Sequence, residues 1–162
     1  MRVLGAAVRV DARVYLTGGA TSVLLGWRET TIDVDIAAVV PGRDELLRAL
    51  PRLKDELQVN VELASPADFI PVPDGWEDRS PFIGREGQLS YHHFDLYAQA
   101  LAKLERAHAH DLEDVEAMLG SGLVVPDRAL GFYEEIEPLL YRFPAVDVAS
   151  FRRRVESAFR DE

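Results

Sequence analysis

The ten residues 31–40, TIDVDIAAVV, constrain the fold of this chain more than any other segment. β-Branched and apolar residues dominate the segment, and a Pro-Gly pair closes it, which predicts a β-strand. Alternate residues of a strand point to the same face, so Asp33 and Asp35 project together while the apolar residues around them face the other way. The apolar run over residues 37–40 predicts a central strand covered on both sides.

Two neighbouring carboxylates on a covered strand need a compensating charge, because removing them from water costs free energy unless something offsets it. Mg²⁺, or Mn²⁺ in its place, prefers oxygen ligands of this kind. Glu62 in the alternating segment VNVEL is the best candidate for a third carboxylate, since it lies near the end of another predicted strand. Asp68 and Asp55 remain alternatives, on a loop and at a helix end. The pattern therefore predicts a metal site containing Asp33, Asp35 and Glu62.

A glycine pair, Gly18-Gly19, follows the predicted strand RVYLT and precedes a short predicted helix. Such a turn places backbone N–H groups where an anion can approach closely. Hydroxyl groups from Thr17, Thr21 and Ser22 lie nearby and could bind phosphate or cap the helix. The alternative is that glycine serves only the backbone conformation of the turn.

Composition excludes several classes of function. The chain has 162 residues, no cysteine and a net charge of −10, so it has no disulfide framework and no thiolate metal site, and it is a poor general binder of nucleic acid. The one dense basic cluster, at residues 152–154, spreads around a predicted helix end. No apolar run reaches membrane-spanning length, and the N-terminus is not a convincing signal peptide. A cytoplasmic location is therefore expected.

Strand and helix patterns alternate over the first part of the chain, and helices follow. We predict strands at 13–17, 31–40, 58–63 and 88–94, with helices at 2–10, 20–25, 43–56, from residue 95 to about 119, at 128–140 and at 148–159. Residues 64–81 carry four prolines and are predicted to form an irregular loop. The predicted fold class is α/β (α+β): residues 1–94 form a core with a small mixed sheet and flanking helices, and residues 95–162 form a helical region packed on it.

The order of these elements resembles a known superfamily. A glycine pair, a short helix and then DVDI on the next strand are similar to the signature of the polymerase β-like nucleotidyltransferases. The wider stretch YLTGGATSVLLGWRETTIDVDI, with LAKLERAHAHDLEDVEAML later in the chain, resembles bacterial nucleotidyltransferase-like proteins related to the AbiEii toxin group. The resemblance covers residues 13 to 120 and implies transfer of a nucleoside monophosphate from an NTP by a two-metal mechanism.

The resemblance also implies roles for single residues. Asp33 and Asp35 would bind both metal ions, and Glu62 would be the third ligand and also a candidate base for the acceptor hydroxyl. The nucleotide-binding residues would be Gly18, Gly19, Ser22, Arg28 and Lys103. Lys103 could equally pair with acidic neighbours, and Asp111 and Asp114 are expected to make contacts at helix ends or between helices rather than to bind metal.

Two functions remain open at this point. The first is a magnesium-dependent nucleotidyltransferase acting on an RNA end, a protein or a small molecule. The second is a non-catalytic module of the same fold that binds a nucleotide or a partner protein, for example in a toxin–antitoxin system.

Overall fold

A computed structural model describes residues 1–31, 33–39, 43–58 and 60–160 of the chain. The chain divides into two compact units. The sheet unit contains Met1–Ser65 and Ser80–Phe94, and the helical unit contains Pro66–Arg79 and Asp95–Glu162. The predicted division placed residues 64–81 with the core, whereas residues 66–79 belong to the helical unit.

The described part of the sheet unit contains three helices and five strands. They are α1 (Arg2–Ala7), β1 (Ala12–Thr17), α2 (Gly18–Leu24), β2 (Asp33–Val39), α3 (Arg43–Leu57), β3 (Asn60–Leu63), β4 (Phe82–Glu86) and β5 (Leu89–His93). The strand order is β3-β2-β1-β5-β4. β1 pairs antiparallel with β2 and parallel with β5, β2 pairs parallel with β3, and β4 pairs antiparallel with β5. The sheet is therefore mixed, as predicted.

The core of the sheet unit lies on one face of the sheet. Alternation along the strands places Leu16, Ile36, Val61 and Tyr91 on that face, where they are buried together with Leu4 of α1. From α3, Leu50 and Leu53 join the same cluster, since residues three apart lie on one face of a helix. The period-two alternation directs the opposite side chains of β2, including both aspartates, to the other face.

The helical unit contains α4 (Trp76–Arg79), α5 (Leu96–Arg106), α6 (Ala109–Gly120), α7 (Pro126–Ile136) and α8 (Val148–Arg160), with short 3₁₀ turns at Pro66–Asp68 and Glu137–Arg142. Asp95 caps α5 by accepting a hydrogen bond from Tyr97 N at 3.1 Å. Its fully buried carboxylate also accepts from Arg79 at 2.7 Å. Burial raises the pKa of Asp95, and the Arg79 guanidinium opposes that rise.

The last carbonyl groups of α5 accept hydrogen bonds from a residue that is distant in sequence. Ala107 adopts a left-handed conformation with φ of 53° and ends the helix, and its N–H donates to Lys103 O at 2.8 Å. The guanidinium of Arg154 in α8 donates to the next two carbonyls, those of Leu104 and Glu105. These bonds satisfy carbonyls that have no partner within the helix.

The α+β fold class is confirmed, and the differences from the predicted elements are local. The single helix predicted from residue 95 is divided in two at Ala107. β4 was not predicted, and the proline-rich segment contains α4 and a 3₁₀ turn. Ile32, Val40 and Val59, at the ends of predicted strands, lie outside the described residues. In the described part of the chain, no helix has the length and apolar character needed to cross a membrane.

Candidate functional site

Four polar side chains share one face of β2 and β3. The strands are parallel, and their register sets Asp33 beside Asn60 and Asp35 beside Glu62. Residues paired across neighbouring strands project to the same face, so the face carries three carboxylates and one amide. Asp33, Asn60 and Glu62 are exposed, whereas Asp35 is half-buried.

Asn60 links two of the carboxylates. Its Nδ2 donates to Asp33 Oδ1 at 3.1 Å and to Glu62 Oε1 at 2.8 Å. Within the part of the chain that the structure describes, no three His, Cys, Asp or Glu side chains lie close enough together to form a metal-binding group. The four residues therefore form a polar cluster in which an amide lies between two of the acids.

The glycine pair packs against this cluster. Gly18 has φ of +59°, and a β-carbon added there would lie 2.7 Å from Asp35 Oδ2, so the carboxylate occupies the place of a side chain. At Gly19, an added β-carbon would lie 2.5 Å from the Thr31 hydroxyl oxygen. That hydroxyl donates to Asp33 O at 2.8 Å. The two glycines are thus required by one side chain within β2, that of Asp35, and by one that precedes it, that of Thr31. Pairing of β1 with β2 also places Thr17 beside Asp35.

A family model described as "Nucleotidyltransferase of unknown function (DUF6036)" matches residues 5–124, about three quarters of the chain. The chain belongs to this nucleotidyltransferase family. The matched range contains the glycine pair and all four residues of the polar cluster. The match supports the nucleotidyltransferase resemblance, and the finer resemblance to AbiEii-related proteins stays a prediction. No curated protein and no solved structure is significantly similar to the chain.

The predicted nucleotide-binding residues of this nucleotidyltransferase family member lie in different environments. Gly18 and Gly19 border the cluster. Ser22 is fully buried, and its hydroxyl donates to Gly18 O at 3.3 Å, so it holds the turn from within. Arg28 is half-buried, and its backbone N–H donates to Ser22 O at 3.3 Å. Binding of a nucleotide by these residues stays a prediction.

His93 of β5, to which no role was assigned from the sequence, forms a hydrogen bond with α2. The Thr21 hydroxyl donates its hydrogen to Leu16 O at 3.0 Å. His93 Nδ1 lies 3.3 Å from Thr21 Oγ1 and therefore donates to that hydroxyl oxygen. Both side chains are buried, and burial lowers the pKa of His93. The neutral imidazole therefore links α2, which begins with the glycine pair, to the end of β5, while the Thr21 hydroxyl links α2 to the end of β1.

In the helical unit, Lys103 is 4% exposed. Its Nζ donates to Asp111 Oδ1 at 3.2 Å and to Asp114 Oδ2 at 2.6 Å, and Arg106 donates to Asp111 Oδ1 at 2.8 Å. The contacts between helices expected of Asp111 and Asp114 are confirmed. The nucleotide-binding role of Lys103 stays a prediction, and its ion pairs give it a structural role that joins α5 to α6.

Asn60 is the member of the cluster that sequence reasoning missed. A signal for it was present: Asn60 and Glu62 are two residues apart on one strand, and the rule that placed Asp33 and Asp35 on one face applies to them equally. The donors available on this face are carboxylate and amide oxygens, which are the ligands that Mg²⁺ and Ca²⁺ prefer in proteins.

Proposed function

We propose that this protein transfers a nucleoside monophosphate from an NTP to a hydroxyl group of an acceptor, with Mg²⁺ or Mn²⁺ held by Asp33, Asp35 and Glu62. The observation that carries the proposal is the register of β2 and β3, which sets Asp35 beside Glu62 on the face that bears Asp33. The membership in a nucleotidyltransferase family supports the same class of reaction.

The chemical type of the three donors matches a hard divalent cation, but the three carboxylates do not lie close enough together in this structure to form a metal-binding group, so metal binding would have to draw their side chains together. All three predicted ligands are carboxylates, and the described residues of β2 and β3 include no cysteine or histidine that would favour a softer metal. Three negative charges on adjacent strands repel one another, and a divalent ion between them would offset that repulsion. When bound, the metal would stabilise the charge of an in-line phosphoryl transfer at the attacking and leaving oxygens.

Other residues of the chain have separate proposed roles in binding the triphosphate and in accepting a proton from the acceptor. Asp35 lies against Gly18, so a triphosphate bound by the backbone of the glycine pair would lie next to the carboxylates. Glu62 is exposed on the edge strand β3, where it can accept the proton of an incoming hydroxyl group. Ser22 supports the triphosphate indirectly, through its bond to Gly18 O. Arg28 is the remaining proposed nucleotide-binding residue of the sheet unit. The acceptor is an RNA end, a protein or a small molecule.

Transfer of label from an NTP tests the proposal. The purified protein is incubated with each of the four α-³²P-labelled NTPs, Mg²⁺ and a cell extract, and label is followed in RNA, protein and small-molecule fractions. Asp33→Asn should reduce the transfer about 10²- to 10³-fold, which is the cost of removing one group that stabilises transition-state charge. Asp44→Asn is the matched control, because it makes the same change on an exposed residue of α3 and should leave transfer unchanged.

Undiminished transfer by a double variant, Asp33→Asn with Asp35→Asn, would refute the proposal. Absence of transfer by the wild type, together with calorimetric binding of ATP or CTP, would instead favour a non-catalytic nucleotide-binding module, such as a component of a toxin–antitoxin system.

A further inference from the structure

An apolar pocket opens into the core of the sheet unit, on the face of the sheet opposite the polar cluster. Its volume is about 260 Å³, and every described residue that lines it belongs to the sheet unit. The strands contribute Leu16, Ile36 and Tyr91, and the helices contribute Leu4 of α1, Ala20 of α2 and Leu53 of α3. The pocket is therefore bounded by the sheet and by three helices.

The lining of this pocket favours a neutral ligand. Apart from Thr31 and Tyr91, the described side chains that line it are apolar. Both hydroxyl groups already donate a hydrogen bond, Tyr91 Oη to Met1 O at 2.9 Å and Thr31 Oγ1 to Asp33 O at 2.8 Å. A charged group would be costly to bury among such side chains, and a net charge of −10 on the chain also disfavours anions.

The size of the pocket limits the size of the ligand. An apolar cavity of about 150 Å³ in a protein core stays dry and binds benzene, so 260 Å³ accommodates about ten non-hydrogen atoms. Two apolar residues of the lining, Met1 and Leu24, are 43% and 46% exposed. A ligand would cover part of this exposed apolar surface as well as fill the interior, and both effects favour binding.

We propose that this pocket binds a neutral, apolar small molecule of the size of a two-ring aromatic. The occupant would contact α2 and β2, the two elements that bring Gly18 and Asp35 together, from the side opposite the polar cluster. The inference does not depend on the proposed function, since it concerns a separate site and binding alone.

Two probes of similar shape and different charge test the site. 2-Naphthol is neutral at neutral pH, and 2-naphthoate is its anionic counterpart. The intact chain should bind 2-naphthol with a Kd of about 1 mM or lower by calorimetry, and its Tm should rise with the concentration of the probe. Binding of 2-naphthoate should be weaker by about 10-fold or more, because its carboxylate must lose water.

Methionine labelling locates the bound probe. The chain has two methionines, of which Met1 lines the pocket and Met118 is fully buried in the helical unit. In protein labelled with ¹³C at the methionine methyl groups, 2-naphthol should shift the Met1 signal along the calorimetric binding curve. The Met118 signal should stay in place.

Two variants change the pocket in different ways. Ala20→Leu replaces a methyl group of the lining with an isobutyl group and should weaken 2-naphthol binding about 10-fold or more, since it occupies part of the volume. Leu24→Glu places a carboxylate at an exposed position of the lining, where it leaves the interior of the fold unchanged, and should weaken binding similarly. Leu112→Glu is the matched control, because it makes the same change at an exposed leucine of α6 and should bind like the wild type.

Three results would overturn the inference. If millimolar 2-naphthol neither raises the Tm nor moves the Met1 signal, the pocket is not a binding site. If 2-naphthoate binds as tightly as 2-naphthol, the class of ligand is wrong. If Ala20→Leu and Leu24→Glu both bind 2-naphthol like the wild type, the probe lies elsewhere on the protein.

Discussion

At the scale of single residues, the contact between Gly18 and Asp35 links the backbone to the proposed chemistry. The Asp35 carboxylate lies where a β-carbon at position 18 would be, and the left-handed backbone there also favours glycine. Glycine is therefore favoured at position 18 for two reasons, the backbone conformation and the space that Asp35 occupies. Mutation can separate these two effects.

Gly18→Ala should lower both stability and metal binding. The left-handed backbone costs an alanine about 1–2 kcal/mol, and the new methyl group must displace Asp35. Gly26→Ala is the control, because Gly26 has φ of +82° but open space around its α-carbon. Urea unfolding should show losses of similar size in both variants, whereas Mn²⁺ binding should weaken only in Gly18→Ala. Equal affinities in the two variants would contradict the role given to this contact.

The buried His93 should make stability depend on pH. Its pKa is lowered by burial, whereas in the unfolded chain the group titrates near 6.5, so the unfolded state binds more protons as pH falls below about 6.5. The free energy of unfolding should therefore decrease from about pH 6.5 downward and level off below the folded-state pKa. Urea unfolding between pH 7.5 and 5.0 measures this slope. His93→Gln should have a flatter profile over that range, and an unchanged slope would assign the effect to other groups.

At the scale of secondary-structure elements, sequence patterns predicted the parts of the site that depend on local periodicity. The shared face of Asp33 and Asp35 follows from strand alternation, and Glu62 was placed on a second strand for the same reason. The neighbour relations of the strands did not follow from these patterns. Pairing of β2 with β3, and of Asp33 with Asn60, is set by tertiary contacts.

The predictions that failed lacked a local signal. β4 contains a glycine and a register shift between Phe82 and Gly84, which interrupt the alternation expected of a strand. The break after α5 falls at Ala107, where no glycine or proline marks a helix end. The segment 66–79 joins the helical unit through distant partners, since Asp74 N donates to Glu135, 61 residues away.

The ion pairs between α5 and α6 give an element-scale prediction. Lys103→Ala should lower the free energy of unfolding by about 3–5 kcal/mol, because it leaves the buried carboxylate of Asp114 without its cation. The exposed pair of Arg52 with Glu56 is the control, with Arg52 83% exposed, and Arg52→Ala should change stability by less than about 1 kcal/mol. Urea unfolding measures both. Similar losses in the two variants would show that the buried pairs contribute no more than surface ones.

At the scale of the whole molecule, the family match and the two units have different boundaries. The matched range, residues 5–124, contains the sheet unit almost entirely but only part of the helical unit. The chain passes between the units three times, after residues 65, 79 and 94. The segment 66–79 supplies Arg79, the ion-pair partner of the buried Asp95.

The stability of the helical unit should therefore depend on the segment 66–79. A protein of residues 95–162 leaves Asp95 without Arg79, and its helices should melt at a lower temperature than those of a chain in which a Gly/Ser linker replaces residues 80–94 after segment 66–79. Circular dichroism during heating measures the difference. Equal melting temperatures would mean that the segment adds nothing to the stability of the helices.

Arg154 lies beyond the range that the family model matches, yet it completes a helix inside that range. Two carbonyl groups at the C-terminal end of α5 accept hydrogen bonds from Arg154, which lies outside the range that the family model matches. A shorter member of the family would need water or another side chain at those carbonyls. Through Arg154, helix α8 thus stabilises the end of a helix that lies within the matched range.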